Sequence, residues 1–250
     1  MVAERVFGTE LDEGKRLSRP TCALLRGESE ESASGIQCWT IRHALHQVLI
    51  IAIGAGAFGA AMGSWRAPEQ AIWSAIKLPL ILLATASGNT LINGMFAPLL
   101  GINLRLRESF AAVLISFALA AAILGAFSPL MLFLVWNLPD PSTGAAQATV
   151  GHGAMLLTLV GVIAFAGVTA NVRLLGLLRR LGGGISPALK LLMAWLTVNL
   201  LLGSQLSWIC RPFIGRADQP IRVLDPQALN GNFFEEVAKV VNELWTHFFR

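Results

Sequence analysis

Acidic residues are missing from five long apolar stretches of the sequence, which run over residues 43–64, 72–100, 109–136, 153–176 and 188–210. A helix of about 20 apolar residues crosses the hydrocarbon core of a bilayer, which is about 30 Å thick. Charged residues make up only 14% of the chain, against about 25% in a typical soluble domain. The sequence therefore predicts an all-α, polytopic integral membrane protein: a bundle of five transmembrane helices followed by a C-terminal amphipathic helix.

The first 41 residues lack the apolar core of a signal peptide, and they carry seven acidic and five basic residues. We therefore expect the first span to be retained. Cysteine is scarce too: Cys22, Cys38 and Cys210 form no CxxC pair, which argues against a metal or redox site. The predicted regions are a cytoplasmic N-terminal arm (1–41), a transmembrane domain (42–211) and an extracytoplasmic tail (212–250).

Lysine and arginine are distributed unequally between the two sides of the predicted bundle. If the N-terminus is cytoplasmic, twelve of them lie on the cytoplasmic side and seven on the outer side. The third loop, 137–152, contains neither residue, and short loops follow the positive-inside rule most closely. We predict a bacterial cytoplasmic (inner) membrane protein with a periplasmic C-terminus. The pI near 9.4 then reflects contact with lipid headgroups, and no nucleic-acid partner is expected.

Small residues recur at four-residue spacing in the first apolar stretch. Gly56, Gly59 and Gly63 would form a helix-packing face that allows a second helix to approach closely. Two alternatives stay open: the face packs against another helix of this chain, or it receives a second protein.

Polar residues interrupt the second and fifth apolar stretches at Asn89, Asn93, Asn199 and Gln205, and Arg211 directly follows the fifth stretch. Polar groups within hydrocarbon need a partner, so we predict a polar seam that faces other helices or a small aqueous cavity. Hydrogen bonding between helices and contact with a solute are the two alternatives. At the outer end, Arg211 is expected to lie at the lipid headgroups.

Two features are expected to shape individual spans. Lys77, near the start of the second span, can extend its ammonium group to the outer headgroups. Ser128 and Pro129 are expected to kink the third span, because proline removes one helical hydrogen bond and restricts the residue before it.

The end of the chain has the periodicity of an amphipathic helix, predicted over 232–249. Asn232 followed by Glu235 resembles a capping box. One stripe of this helix is apolar and would dock on a surface: Phe233, Phe234, Val237, Val241, Leu244, Trp245 and Phe248. Because residues 231–250 contain three acids against two bases, Lys239 and Arg250, this segment lacks the basic character of most lipid-binding peptides. Docking on protein and lying on the membrane surface both stay open.

Several short motifs carry a family resemblance: KLP at 77–79, SPL at 128–130, RPFIG at 211–215 and GNFF at 231–234. Over about residues 70–235 the chain resembles a family of uncharacterised bacterial five-span membrane proteins with a KLP…SPL…RPFIG pattern. Its topology also resembles that of the Yip family, whose members act in membrane trafficking through helix-mediated contacts. Neither resemblance supplies catalytic residues.

The predicted spans contain no Asp or Glu for acid–base chemistry, and His43 and His46 have no evident third metal ligand. We therefore predict no enzyme activity, no metal and no cofactor. The expected function is that of a non-catalytic accessory or scaffolding subunit of a larger membrane complex. Its expected partners are membrane lipids and either other membrane protein subunits or further copies of itself. A small-solute transporter or channel is the alternative, although carboxylates for ion coupling are missing from the spans.

Overall fold

Five helices that are long and apolar enough to cross a membrane form the body of the protein in a computed structural model. The structure describes residues 17, 19–99, 105–138, 145–181, 184–215 and 220–238. Within these ranges the chain is helical and contains no strand. The prediction of an all-α membrane protein with five spans is therefore confirmed.

Seven helices are numbered here in chain order: α1 Ser29–Gln37, α2 Ile41–Gly63, α3 Pro68–Leu99, α4 Leu106–Ala126, α5 Ser128–Asn137, α6 Ala145–Leu181 and α7 Ile185–Ile209. Residues 19–26 and 233–238 are also helical. Successive spans run in opposite directions, so the bundle has two ends. One end, the N-segment end, carries residues 19–40, which we call the N-terminal segment. The other end, the tail end, carries the residues that follow α7, which we call the tail.

Helices α4 and α5 together form the third span, with a break at Phe127. Ser128 and Pro129 are the first two residues of α5. Amides in the first turn of a helix have no acceptor within the helix, so the missing amide hydrogen of proline costs no hydrogen bond there. The kink predicted at Ser128 and Pro129 thus takes the form of a boundary between two helices.

The first and third spans lie at the centre of the bundle. In their most apolar parts 44% and 56% of the residues are buried, against 22% for α6 and for α7. Large apolar side chains on α6 point outward, among them Leu157, Val160 and Phe165. An apolar outer surface is what a helix bundle presents to lipid, so α6 and α7 have the character of the lipid-facing spans.

Part of the predicted N-terminal arm is folded onto the bundle. Leu24, Ile36 and Trp39 are buried in one apolar cluster with Leu178 of α6 and Trp195 of α7. The residue pattern does not predict this burial, because the segment is rich in charge and divides its few apolar residues between two short helices. The N-terminal segment is therefore a structural part of the bundle, whereas residues 1–16 lie outside the described ranges.

Candidate functional site

Three hydrogen-bond donors lie on one face of α3 at the tail end. Gln70, Ser74 and Lys77 follow the i, i+4, i+7 spacing of a helical stripe, and all three are buried. Buried polar groups in a membrane bundle require partners, because no water is available to replace a missing hydrogen bond. This stripe is therefore an obligatory contact surface.

The partners of the stripe are backbone carbonyl groups just after the end of α7. The Pro212 carbonyl accepts from Gln70 Nε2 at 3.1 Å and from Lys77 Nζ at 2.9 Å. The Phe213 carbonyl accepts from Gln70 Nε2 at 2.8 Å and from Ser74 Oγ at 2.5 Å. The chain thus turns back beside α3, and the next side chain, Ile214, is buried in the apolar cluster of the tail end.

The expectation that Lys77 reaches the headgroups is wrong. Its exposed fraction is 6%, and its Nζ lies 5.9 Å from the centroid of the Phe213 ring. The carbonyl of Pro212 supplies a partner inside the bundle, so the ammonium group does not have to extend outward. The spacing of Gln70, Ser74 and Lys77 could have indicated this, but Gln70 precedes the predicted start of the span at residue 72.

Arg211 fastens the tail to the end of α7. Its Nε donates to Asp225 Oδ2 at 3.2 Å, Nη1 to the Trp208 carbonyl at 3.2 Å and Nη2 to the Gln227 carbonyl at 3.1 Å. The guanidinium carbon lies 3.6 Å from the centroid of the Trp208 ring, a cation–π arrangement. Its fork of donors thus holds two parts of this chain together, and the expected position of Arg211 at the lipid headgroups stays a prediction.

Asp225 is the tail-side partner of Arg211, and we call this pair the Arg211–Asp225 clamp. Its amide donates to the Arg211 carbonyl at 3.0 Å, and its Oδ1 accepts from the Gln227 amide at 2.8 Å. The Gln227 amide first, and then the guanidinium groups of Arg211 and Arg222, hold the pKa of the Asp225 carboxyl below its ordinary value, although partial burial opposes them. The carboxylate is thus charged when the clamp is formed.

The predicted polar seam divides into two separate sets of contacts. Asn89 Nδ2 of α3 donates to Asn199 Oδ1 of α7 at 2.7 Å, which joins two spans within the bundle. Gln205 instead accepts at Oε1 from the amide of Phe233, at 3.3 Å, and so contacts the tail. The side chain of Asn93 lies outside the described part of the structure. The seam is therefore an interhelical hydrogen bond in the middle of the bundle and a set of tail contacts near its end.

The small-residue face of α2 packs against α3 of the same chain. A Cβ atom on Gly63 would lie 2.6 Å from the Gln70 carbonyl oxygen, and one on Gly59 would overlap the Ser74 carbonyl. A Cβ on Gly56 would lie 3.3 Å from the Ala75 carbonyl oxygen. The face is occupied within the chain, which corresponds to the first of the two alternatives.

The predicted tail helix begins as expected but is described only in part. The amide of Glu235 donates to Asn232 Oδ1 at 2.9 Å, which is one half of a capping box. Phe233 and Phe234 form an edge-to-face pair with 5.4 Å between ring centroids, and Phe234 and Val237 are 41% and 44% exposed. Val241, Leu244, Trp245 and Phe248 lie outside the described residues.

A cavity of about 720 Å³ lies between α6 and the tail. Its walls include His152, Leu156 and Leu159 of α6, with Phe213 and Arg222 on the opposite side. The Arg211–Asp225 pair also borders it. The cavity thus combines apolar walls with two guanidinium groups and one carboxylate.

The histidines at the N-segment end have contacts of another kind. His43 Nδ1 lies 2.7 Å from Thr40 Oγ1, and its ring stacks on Trp39 with 5.6 Å between centroids. Within the described residues, no three side chains of His, Cys, Asp or Glu come together as a metal site.

Searches of protein-family models, curated proteins and solved structures find no match to this chain.

Proposed function

We propose that this protein is a non-catalytic accessory or scaffolding subunit of a larger membrane complex, and that its tail is the surface presented to a partner protein. One observation carries this proposal: the tail is fixed firmly to the bundle and still exposes large apolar side chains. These side chains are Ile221, Val223, Leu224, Leu229, Phe234 and Val237, with exposed fractions from 38% to 82%.

The fixed position of the tail favours a binding surface. The α3 stripe and the Arg211–Asp225 clamp hold its first half, and Gln205 holds the start of its helix. A surface that is already ordered loses less conformational entropy when a partner binds. Exposed apolar patches outside the hydrocarbon core typically mark contacts with protein or membrane. The mixed charge of the predicted tail helix favours a protein partner.

The polar groups inside the bundle support a structural role. The Asn89–Asn199 hydrogen bond joins α3 to α7, and the α3 stripe binds the backbone after α7. These groups hold helices and tail together, and the spans supply no carboxylate for proton or sodium coupling.

The test is site-specific photocrosslinking from the tail in native membranes. A photoreactive residue at Leu229, which is 82% exposed, should give one protein adduct of defined mass, and Leu224→Asp should abolish it. The control position is Leu157 on α6, which is 76% exposed on the lipid-facing surface and should give no such adduct. Truncation after Gly231 then shows whether residues 232–250 contribute to the same contact.

A small-solute transporter or channel is the second candidate, favoured by the cavity beside α6. It predicts a monodisperse single chain that mediates solute flux in liposomes. If Leu229 gives no protein adduct and the purified chain mediates such flux, the scaffolding proposal is wrong.

A further inference from the structure

The cavity between α6 and the tail has an unusual position for a solute site. Its α6 wall, Leu156 and Leu159, belongs to a helix whose neighbouring side chains face the lipid. Leu156 itself is 42% exposed, and Val160, one turn further along α6, is 62% exposed. The cavity therefore continues into the lipid-facing surface of the bundle.

The two guanidinium groups at the cavity differ in what they bind. Arg211 donates to Asp225, Gln227 and Trp208 and is held in place by these bonds. Arg222 is exposed and, within the described residues, its guanidinium donates no hydrogen bond, although its charge acts on the nearby Asp225 carboxylate. With Asp225 charged, the side chains of Arg211, Arg222 and Asp225 together carry one net positive charge. Arg222 is the one of the three whose N–H groups can donate to a ligand.

The size and walls of the cavity indicate a ligand with an apolar body. A volume of about 720 Å³ lies in the range of small-molecule sites and far exceeds the space that one phosphate ion fills. Leu156, Leu159 and Phe213 would contact hydrocarbon, while arginine binds phosphate oxygens through paired N–H donors.

We propose that this cavity binds one anionic phospholipid, with its phosphate at Arg222 and its acyl chains against Leu156 and Leu159 of α6. The single negative charge of a phosphodiester matches the net charge of Arg211, Arg222 and Asp225, the three charged side chains described at the cavity. The acyl chains leave the cavity along the lipid-facing side of α6. This inference does not depend on the proposed scaffolding function.

The test is native mass spectrometry of the full chain, purified in detergent and titrated with defined lipids. The wild type should retain one molecule of phosphatidylglycerol and bind phosphatidylcholine, which has no net charge, more weakly. Arg222→Gln should weaken phosphatidylglycerol binding about tenfold, the usual scale for a lost charge-assisted contact. Lys190→Gln, which removes an exposed charge at the other end of the bundle, should leave binding unchanged.

A second pair of variants tests the apolar wall. Leu156→Trp should narrow the cavity where the acyl chains contact α6 and reduce retention of the lipid, whereas Leu157→Trp, at the adjacent lipid-facing position, should not. Unchanged elution volume and melting temperature show that each variant is folded.

Three results would overturn the proposal. One is equal retention of phosphatidylglycerol and phosphatidylcholine by the wild type. Another is wild-type lipid affinity in both Arg222→Gln and Leu156→Trp. The third is stabilisation by inorganic phosphate through Arg222 without retained lipid, which would identify a site for a free anion.

Discussion

The two ends of the bundle are closed by apolar and polar contacts in different proportions. At the N-segment end, apolar side chains such as Leu24, Ile36 and Trp39 are buried against the long helices. At the tail end, backbone carbonyl groups are held by polar side chains of α3, and Arg211 is held by the tail. Hydrogen bonds also occur at the N-segment end, where Thr21 Oγ1 donates to Gln47 Oε1, and Ile214 is buried at the tail end. The contacts of the N-terminal segment are nevertheless mainly apolar, whereas polar side chains and backbone carbonyls make most of the contacts of the tail.

This difference has consequences for how each end tolerates change. Apolar packing is non-directional, so a cluster loses stability roughly in proportion to the side-chain volume removed. A buried hydrogen bond is directional, and removing one partner leaves the other without a bond. Conservative substitutions should therefore be mild at the N-segment end and harmful at the tail end.

The largest expected effect comes from Gly59→Leu, because a Cβ at Gly59 would already meet the backbone of the neighbouring helix α3. The new side chain would overlap the Ser74 carbonyl and displace the residue that binds Phe213. We expect a loss of about 3 kcal/mol or more in the free energy of unfolding. Gly161→Leu is the control, since a Cβ there meets no atom within 4 Å. Denaturant titration in detergent gives both values, and equal stability of the two variants would contradict the packing.

Leu24→Ala should have the next largest effect, and it should be confined to the N-segment end. Leu24 is 0% exposed, and such truncations typically cost about 2–5 kcal/mol. Leu25→Ala, at a residue that is 45% exposed, should change stability by less than about 1 kcal/mol. Thermal unfolding measures the difference, while limited proteolysis should show an intact tail. Early cleavage of the tail would mean that the two ends are coupled.

Arg211→Lys tests the tail end with a substitution that keeps the charge. Lysine cannot reproduce the three-way fork to Asp225, Trp208 and Gln227, so we expect a loss of about 2 kcal/mol and faster proteolysis of the tail. The control is Arg180→Lys, because the Arg180–Glu30 ion pair is 58% and 76% exposed. Its effect should stay below about 0.5 kcal/mol. A stable, protease-resistant Arg211→Lys protein would show that the contacts of Arg211 do not hold the tail in place.

The smallest expected effect is the response of the tail to acid. The pKa of Asp225 is lowered in the folded protein, so its contribution is present above its ordinary pKa and is lost as pH falls through the lowered one. We expect proteolysis of the tail to accelerate below about pH 4, by an amount worth less than about 1 kcal/mol. Asp225→Asn should show no such step. An identical acid response in both proteins would assign it to other carboxyl groups.

The sequence predicts the spans better than it predicts the contacts between their ends. Runs without charge mark the five spans, and small residues at Gly56, Gly59 and Gly63 mark a packing face. The acceptors for Lys77 and Gln70 are backbone carbonyls, which every residue carries, so residue types alone cannot identify them. The amide pair of Asn89 and Asn199 depends on which spans become neighbours, and that is decided by packing.

Helix α6 is much longer than a bilayer requires. Its 37 residues extend over roughly 55 Å at the usual rise of 1.5 Å per residue, against about 30 Å of hydrocarbon. Its C-terminal turns carry Arg179 and Arg180, and Leu178 packs against the N-terminal segment. A thinner membrane would increase the tilt of such a long helix. Because the N-terminal segment packs on α6, the orientation of this segment relative to the membrane surface should follow the local bilayer thickness.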